Sequence, residues 1–302
     1  MQRSDEPAAQ THEKDLTKRK VLAVGPEFDR PAVAWPTLAL FFACLALFAS
    51  SIWWRSHRWY AVAASYVAIF AIFTPLHDSV HLSVSAQYRW INSAVGRVAG
   101  IFFLAPFHAF RWVHLQHHKH TNHPEKDPDF WSGLAPIWLT PLRWCSQELH
   151  YYVNLPQMFS GALAPLEIVE VIATLVLAYG AVAVSAYLGH FWDTFYTFLL
   201  PMRLAVISLA FAFDYIPHAP HLTARSQDVY GCTNRIVGIT NTGQRVFDRV
   251  LSAMLLYQNY HNIHHLYPSV PFYGYSRVWR AHEKVLAPLT PVRPLFDARR
   301  PW

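Results

Sequence analysis

The chain has 302 residues, of which 53% are apolar and only 15% are charged, with a formal net charge of +6. Soluble domains usually carry about 25% charged residues, so the composition favours a membrane protein. Three cysteines are too few and too scattered for a disulfide framework or a thiolate metal site. The basic residues are dispersed along the chain, which argues against nucleic-acid binding.

The chain divides into a polar tail, a membrane domain and a second tail. Residues 1–31 are polar, carry charges of both signs and contain no early apolar core, so we predict a disordered tail and not a signal peptide. Residues 32–287 are predicted to form the membrane domain. Residues 288–302 are rich in Pro and Arg, and we expect them to run over the surface.

Four apolar runs lie within the membrane domain, and each approaches the roughly 20 residues that a helix needs to cross a bilayer. They cover residues 32–54, 59–76, 166–188 and 195–215. Short connections join the first run to the second and the third to the fourth, which predicts two helical hairpins. The expected fold is therefore all-α, an integral membrane four-helix transmembrane bundle with a His-rich helical cap.

Two less hydrophobic stretches, residues 88–110 and 245–260, are expected either to lie in the membrane interface or to pack under the bundle. The N-terminal tail carries six Lys and Arg residues, and the first hairpin loop carries two Arg. The second hairpin loop holds Asp193 and no Lys or Arg. This bias predicts that both termini and residues 77–165 are cytoplasmic.

The chain contains 18 histidines, and eight of them form three clusters with helical spacing. The clusters are His77 and His81, then His114, His117 and His118, and finally His261, His264 and His265. On a helix, positions i, i+3 and i+4 share one face, so each cluster points its imidazoles in one direction. Four membrane crossings would place all three clusters on the same side of the membrane.

Imidazole suits Fe, Zn, Cu and Ni without any thiolate. A structural zinc site needs four ligands, so eight nitrogens are too many for one such site. They fit two metal ions that each keep open coordination positions for oxygen. Two irons can share the electrons that reduce O₂, and we therefore predict a non-haem di-iron centre with O₂ as co-substrate.

The sequences around these histidines are HDSVH, HLQHHKHTN with a following DPD, FDYIPH and QNYHNIHHLYPSVPFY. They resemble the membrane fatty acid desaturase superfamily of histidine-box di-iron enzymes. In motif detail they are most similar to its desaturase-type β-carotene hydroxylases. The resemblance covers roughly residues 30–285.

The resemblance implies that the eight clustered histidines bind two irons and that a ninth ligand follows the fourth crossing. His218 is the candidate, and His221 is the alternative. It also implies an oxidoreductase that desaturates or hydroxylates a fatty acyl chain or a carotenoid ring. The chain has no dinucleotide fingerprint or haem-attachment motif, so we expect an external electron donor, a ferredoxin or a cytochrome b5-like protein.

Several polar residues beside the clusters have open roles. Asp127 and Asp129 are expected either to hold a ligand imidazole by its second N–H or to end a helix. Asp214 at the membrane edge is costly unless paired, which favours support of the site. Asn259 is expected to cap a helix or to bond to the backbone, and contact with iron through a water is the alternative. His120 and His123 are interpreted as surface or supporting residues, and Asp78 is expected to point away from the ligands.

Two other classes of protein use membrane histidines. A metal-handling transporter places its ligands near the bilayer midplane on broken helices, whereas these clusters lie beyond the apolar runs. A bis-haem membrane cytochrome needs histidine pairs within the membrane, and the four runs contain no histidine. The choice between acyl and carotenoid substrates stays open at this stage.

Overall fold

The computed structural model describes residues 25, 28–134, 136–238 and 244–295. Most of the predicted N-terminal tail and residues 296–302 of the predicted C-terminal tail lie outside this part. The helices in chain order are α1 Trp35–Trp53, α2 Arg58–Val80, α3 Arg89–Ile101, α4 Phe107–His120, α5 Thr140–Cys145, α6 Gln147–Tyr151, α7 Leu155–Gln157, α8 Pro165–Tyr187, α9 Phe191–Tyr215, α10 Gln244–Met254, α11 His261–Leu266 and α12 Tyr275–Leu286.

Short turns and one strand pair complete the described part. The 3₁₀ turns are Pro128–Gly133, Ile137–Leu139, Tyr152–Asn154, Gln258–Tyr260 and Phe272–Gly274. Helix α9 contains π-helical turns at Phe195–Leu199 and Ala210–Tyr215, and a further π turn covers Met158–Ala162. Strands β1 Arg235–Val237 and β2 Val292–Pro294 pair in parallel. The all-α fold expected from the sequence does not include this strand pair. Three-residue strands are too short to give an alternating pattern of apolar and polar residues in the sequence.

Among the described residues, four helices are long and apolar enough to cross a membrane, namely α1, α2, α8 and α9. They overlap the four predicted runs, which confirms the prediction of four apolar helices of this length. Helix α2 extends four residues beyond its predicted end at Leu76, through His77 to Val80. Residues 74–80 are buried in protein, so the polar side chains of this last turn are not exposed to lipid. Only 6% of the apolar window of α8 is buried, which suits contact with lipid.

The loops of the two hairpins meet at one end of the bundle. The Arg58 guanidinium lies 2.7 Å from the Asp193 carboxylate, and Arg55 lies 3.6 Å from it. Within the first hairpin, the hydroxyls of Ser51 and Ser65 lie 2.6 Å apart. The end of α2, which carries His77, and the end of α9, which precedes His218, therefore lie together at the opposite end.

The stretch at residues 88–110 forms α3 and the start of α4, and it packs closely under the bundle. A Cβ on Gly96 would lie 2.2 Å from the Phe107 ring, and one on Gly100 would lie 2.4 Å from the Ala105 carbonyl oxygen. These two glycines therefore allow α3 to approach the following segment. A hydrophobic core that includes Phe41, Ile72, Phe103, Phe110 and Leu209 joins α1–α4 to α9.

The C-terminal part builds a second core around α11 and α12. Its fully buried members include Ile263, Tyr275 and Val278. The stretch at residues 245–260 forms α10 and the 3₁₀ turn before α11. The Asn259 amide nitrogen in this turn donates to the Ile236 carbonyl oxygen at 3.3 Å and to the Ser252 hydroxyl at 3.0 Å. Asn259 thus bonds locally, as expected, and holds the start of α11 against β1.

Candidate metal centre

Four segments carry the clustered histidines to one place. The first pair lies at the end of α2, the second cluster on the last turns of α4 and the third on α11. The fourth segment follows α9 and brings His218 beside His261, with their Nε2 atoms 3.0 Å apart. The structure therefore brings together all nine histidines of the predicted set.

The nine imidazoles fall into two groups whose nitrogens lie within 4.8 Å of one another. The first group is His77, His81, His114, His118 and His264, and the second group is His117, His218, His261 and His265. Helices α4 and α11 contribute to both groups because neighbouring positions of each helix face different ways. The grouping thus follows from helical register rather than from the order of the clusters in the sequence.

The spacing of the ring nitrogens fits ligation of metal ions. In the first group, the Nε2 of His118 lies 3.0 Å from that of His114 and 2.8 Å from that of His264. In the second, the Nε2 of His265 lies 3.2 Å from that of His117 and 3.0 Å from that of His261. Imidazole nitrogens that share one ion at about 2.1 Å lie about 3 Å apart at adjacent positions.

Hydrogen bonding between imidazoles does not account for these contacts. A neutral imidazole nitrogen offers one in-plane proton or one lone pair, so it satisfies one partner. The Nε2 atoms of His118 and His265 each face two others. Among the described residues, the buried Nε2 of His81 has no hydrogen-bond partner. A cation at the centre of each group would satisfy all of these nitrogens, so the residues present fit bound metal.

The protonation states also fit a metal site, because a ligand imidazole must be neutral. Burial, followed by repulsion from neighbouring charged groups, lowers the pKa of seven histidines well below its ordinary value of 6.5. They are His81, His114, His118, His218, His261, His264 and His265. These rings are therefore neutral at physiological pH and present lone pairs to a cation.

His117 differs, because carboxylates face the other side of its ring. Its Nδ1 lies 2.8 Å from Asp127 Oδ1 and 3.4 Å from Asp129 Oδ2. Burial alone would lower the pKa of His117, but the two carboxylates outweigh it and raise this pKa to about 9. They hold a proton on Nδ1, and a metal ion bound at Nε2 would displace the second proton of this ring. Asp127 also accepts from the Asp129 backbone N–H at 2.9 Å, so it both holds the ring and begins the following turn.

Two further contacts behind the ligand rings were not evident from the sequence. The Tyr275 hydroxyl lies 3.0 Å from His264 Nδ1, and Tyr275 is fully buried. The Thr121 hydroxyl lies 3.4 Å from His265 Nδ1 and donates to the His117 carbonyl oxygen at 2.8 Å. Such contacts fix ring orientation. Thr121 lies three residues after His118, and that position is the only signal the sequence offers.

His218 and His221 occupy different environments. The His218 ring belongs to the second group, whereas His221 belongs to neither. His221 has a φ of +61° and packs against Gly133, where a Cβ would lie 2.4 Å from the His221 Nε2. Burial lowers the pKa of His221 to about 4. The geometry therefore favours His218 as the ninth member of the set.

Other candidate residues lie around the centre without joining it. Asp78 points away from its histidine neighbours and accepts from the Thr37 hydroxyl at 2.9 Å. Asp214 lines the cavity next to the centre. His120 and His123 lie outside both groups, with their ring centroids 6.5 Å apart.

A cavity between the spans reaches the centre. Its apolar wall comes from α2, the turn between α3 and α4, the start of α4, and α9, and it includes Phe73, Leu76, Phe103, Phe110 and Phe213. His77, His114, His117 and His261 lie at one side of it. A hydrocarbon chain that enters this cavity therefore comes next to both histidine groups.

Four apolar spans, two buried imidazole groups and an adjoining apolar cavity define a membrane protein with a histidine-rich metal site. The family model described as "Fatty acid desaturase" matches residues 57–295. The chain therefore belongs to the fatty acid desaturase family, as the histidine motifs predict.

Curated relatives include both acyl-lipid and carotenoid enzymes. An sn-1 oleoyl-lipid 12-desaturase from a Picosynechococcus species is 32% identical over 111 residues, which cover 35% of this chain and 30% of that protein. A beta-carotene ketolase from a Paracoccus species is 27% identical over 241 residues, which cover 76% of this chain and 85% of the ketolase. An endoplasmic-reticulum acyl-lipid omega-3 desaturase (cytochrome b5) of Arabidopsis thaliana is 34% identical over 96 residues, or 32% of this chain and 24% of that desaturase. The chain thus spans less than a third of the length of these two desaturases.

Proposed function

We propose that the protein is a membrane-bound non-haem di-iron oxidoreductase that uses O₂ to hydroxylate or desaturate a lipid hydrocarbon. The observation that carries the proposal is the pair of buried imidazole groups beside an apolar cavity between the spans. Membership of the fatty acid desaturase family supports the same class of reaction. The reaction consumes O₂, two electrons and two protons, and it gives an alcohol and one water or a double bond and two waters.

In this proposal, the first group of five histidines holds one iron and the second group of four holds the other. When bound, the two ions supply the reduction of O₂ and the oxidation of the C–H bond. Asp127 and Asp129 keep the His117 ring in the tautomer that presents Nε2. Tyr275 and Thr121 orient His264 and His265 in the same way. The apolar cavity wall excludes water and positions the chain that reacts.

We further propose that the substrate is a carotenoid ring rather than a fatty acyl chain. The similarity to the beta-carotene ketolase extends over 85% of that enzyme, whereas the similarity to the oleoyl-lipid desaturase covers 30% of it. The first histidine motif does not separate the two, because its spacing also occurs among acyl-lipid desaturases. Acyl desaturation is the second candidate, and the family match and the desaturase relatives favour it.

The proposed topology places both termini and the metal centre in the cytoplasm. The N-terminal tail carries six Lys and Arg residues, against two in the first hairpin loop and none in the second, and this difference supports the orientation. Electrons would come from a ferredoxin or a cytochrome b5-like protein on the same side. The name of the Arabidopsis thaliana omega-3 desaturase includes cytochrome b5, which supports a cytochrome b5-like donor.

The experiment that tests the function is expression in two hosts, followed by mass spectrometry of total lipids. One host accumulates β-carotene and the other has a defined pool of saturated fatty acids. Wild-type protein is compared with His261→Ala, and iron is measured in both purified proteins. We expect the carotenoids to gain oxygen with the wild-type protein only.

The other outcomes distinguish the parts of the proposal. Loss of two hydrogens from acyl chains would make the protein an acyl-lipid desaturase. Wild-type protein that holds two irons but changes neither pool would contradict the substrate and leave the metal centre in place. Wild-type protein without iron would contradict the di-iron centre.

A further inference from the structure

The cavity beside the metal centre has a polar wall as well as an apolar one. Gln147 of α6 and Gln258 of the 3₁₀ turn before α11 both line it. Both side chains are almost fully buried, with exposed fractions of 4% and 1%. A purely hydrocarbon substrate would have no group to bond to these two amides.

Neither amide is satisfied within the described part of the chain. Both amide atoms of Gln258 and the Oε1 of Gln147 are buried without a hydrogen-bond partner there. The Gln147 nitrogen donates to the Tyr151 hydroxyl at 3.2 Å. The neighbouring Asn259 donates to Ile236 and Ser252, although its Oδ1 has no partner there either. Gln258 and Gln147, unlike Asn259, line the cavity, so a group bound in the cavity can satisfy their buried amide atoms.

The available atoms select the kind of group. Gln258 offers two N–H donors and a carbonyl acceptor, and Gln147 offers a carbonyl acceptor. A hydroxyl can accept from Gln258 and donate to Gln147, whereas a ketone oxygen can only accept. The carboxylates of Asp129, Glu148 and Asp214 also line the cavity, and no Lys or Arg is among its described lining residues. This electrostatic environment disfavours a carboxylate or a phosphate.

The position of the two amides places a bound hydroxyl near the carbon that is oxidised. Gln258 lies three residues before His261, and both line the same cavity as His77 and His117. A hydroxyl bound by the two amides is therefore at the end of the substrate that reaches the metal centre. The apolar wall would hold the rest of the molecule.

We infer that Gln147 and Gln258 bind a hydroxyl group at the reacting end of a long apolar lipid. The inference rests on the proposed function and narrows its substrate to a carotenoid whose ring already carries a hydroxyl. The two amides are specificity-determining residues, because a site built to bond a hydroxyl favours the lipid that carries it over the analogue that lacks it.

The test measures equilibrium binding of β-carotene and zeaxanthin to iron-loaded protein without reductant, so that no turnover occurs, by quenching of tryptophan fluorescence. Zeaxanthin carries ring hydroxyls that β-carotene lacks. We expect zeaxanthin to bind about tenfold more tightly, which corresponds to roughly one buried hydrogen bond. Gln258→Met and Gln147→Met should each bring the ratio of the two dissociation constants close to one. The exposed Gln157 provides the control, and Gln157→Met should keep the wild-type ratio.

A ratio near one in the wild-type protein would overturn the inference. So would a wild-type ratio retained by both methionine variants, because water alone would then satisfy the amides. Two variants on different elements keep the test valid if one of them fails to fold. Turnover of both lipids by iron-loaded protein is measured separately. Absence of any turnover would contradict the proposed function, whereas the binding ratio decides the role of the amides.

Discussion

Arg58 at the start of α2 and Asp193 near the start of α9 form an ion pair of 2.7 Å that joins the loops of the two hairpins. Because α2 ends beside His81 and α9 ends just before His218, this contact fixes the loops at one end of the bundle and the histidines at the other. The pair is partly exposed, so its contribution to stability is small. It does show that both connections lie at the same end of the bundle.

This arrangement predicts the labelling pattern of single cysteines in the proposed topology. In a Cys145→Ser background, in which Cys44 and Cys232 are buried, cysteines are placed at the exposed positions Ser56 and His190 or at Lys126. We expect Ser56→Cys and His190→Cys to react with a membrane-impermeant maleimide in intact cells. Lys126→Cys should react only after permeabilisation. The reverse pattern would contradict a cytoplasmic metal centre.

Asp127→Asn should weaken metal retention without loss of any ligand. The substitution removes the charge that holds the proton on His117 Nδ1. Loss of such a partner typically lowers metal affinity about 10–100-fold. Iron per chain after dialysis against increasing chelator measures the effect. Glu125→Gln removes an exposed carboxylate two residues away and should retain iron as the wild type does. Equal retention by both variants would show that Asp127 serves only the turn.

His218 and His221 should respond differently to substitution by alanine. His218 faces His261 within the second group, whereas His221 packs against Gly133 outside it. We expect His218→Ala to lose the iron of the second group and His221→Ala to retain both ions. Iron analysis of the two purified variants checks this. Loss of iron in His221→Ala but not in His218→Ala would assign the ninth ligand to His221.

The sequence predicts much of this site because its signals are periodic. Four apolar runs of bilayer length locate the spans, and the i, i+3, i+4 spacing locates the clustered histidines. The division into groups of five and four depends on helix register, which turns His117 away from His114 and His118. Nor does a sequence pattern indicate that Tyr275 meets His264 or that Gln258 faces the cavity, because these contacts join separate segments.

Thr37→Val should destabilise the protein through Asp78. The Thr37 hydroxyl is the donor to Asp78 Oδ2 at 2.9 Å, and both residues are buried. Removal of the donor leaves a buried acceptor poorly satisfied, which costs about 1–3 kcal/mol. Thermal unfolding in detergent measures the loss. Thr37→Ser keeps the hydroxyl and should retain most of the stability of the wild type. Equal unfolding temperatures of the Ser and Val variants would rule out the hydrogen bond as the cause.

Removal of metal should loosen α4 and α11 while leaving α1 and α2 ordered. Helix α11 has six residues, far below the roughly 12–15 at which an isolated helix is even marginally stable. Its order depends on packing and, in the proposed centre, on ions that its three histidines share with α4 and the segment after α9. Helices α1 and α2 have 19 and 23 residues and bury an apolar face against each other.

Hydrogen exchange measured by mass spectrometry before and after chelation tests this difference. We expect faster exchange in residues 114–121 and 258–267 and no change in residues 38–53. Return of the iron should restore the original rates, because the ions and not the chelator would be responsible. Faster exchange along the whole chain would mean that metal stabilises the whole fold. Unchanged exchange in α11 would mean that packing against α12 alone keeps α11 ordered. In the second case the imidazoles would already be fixed in position before metal binds.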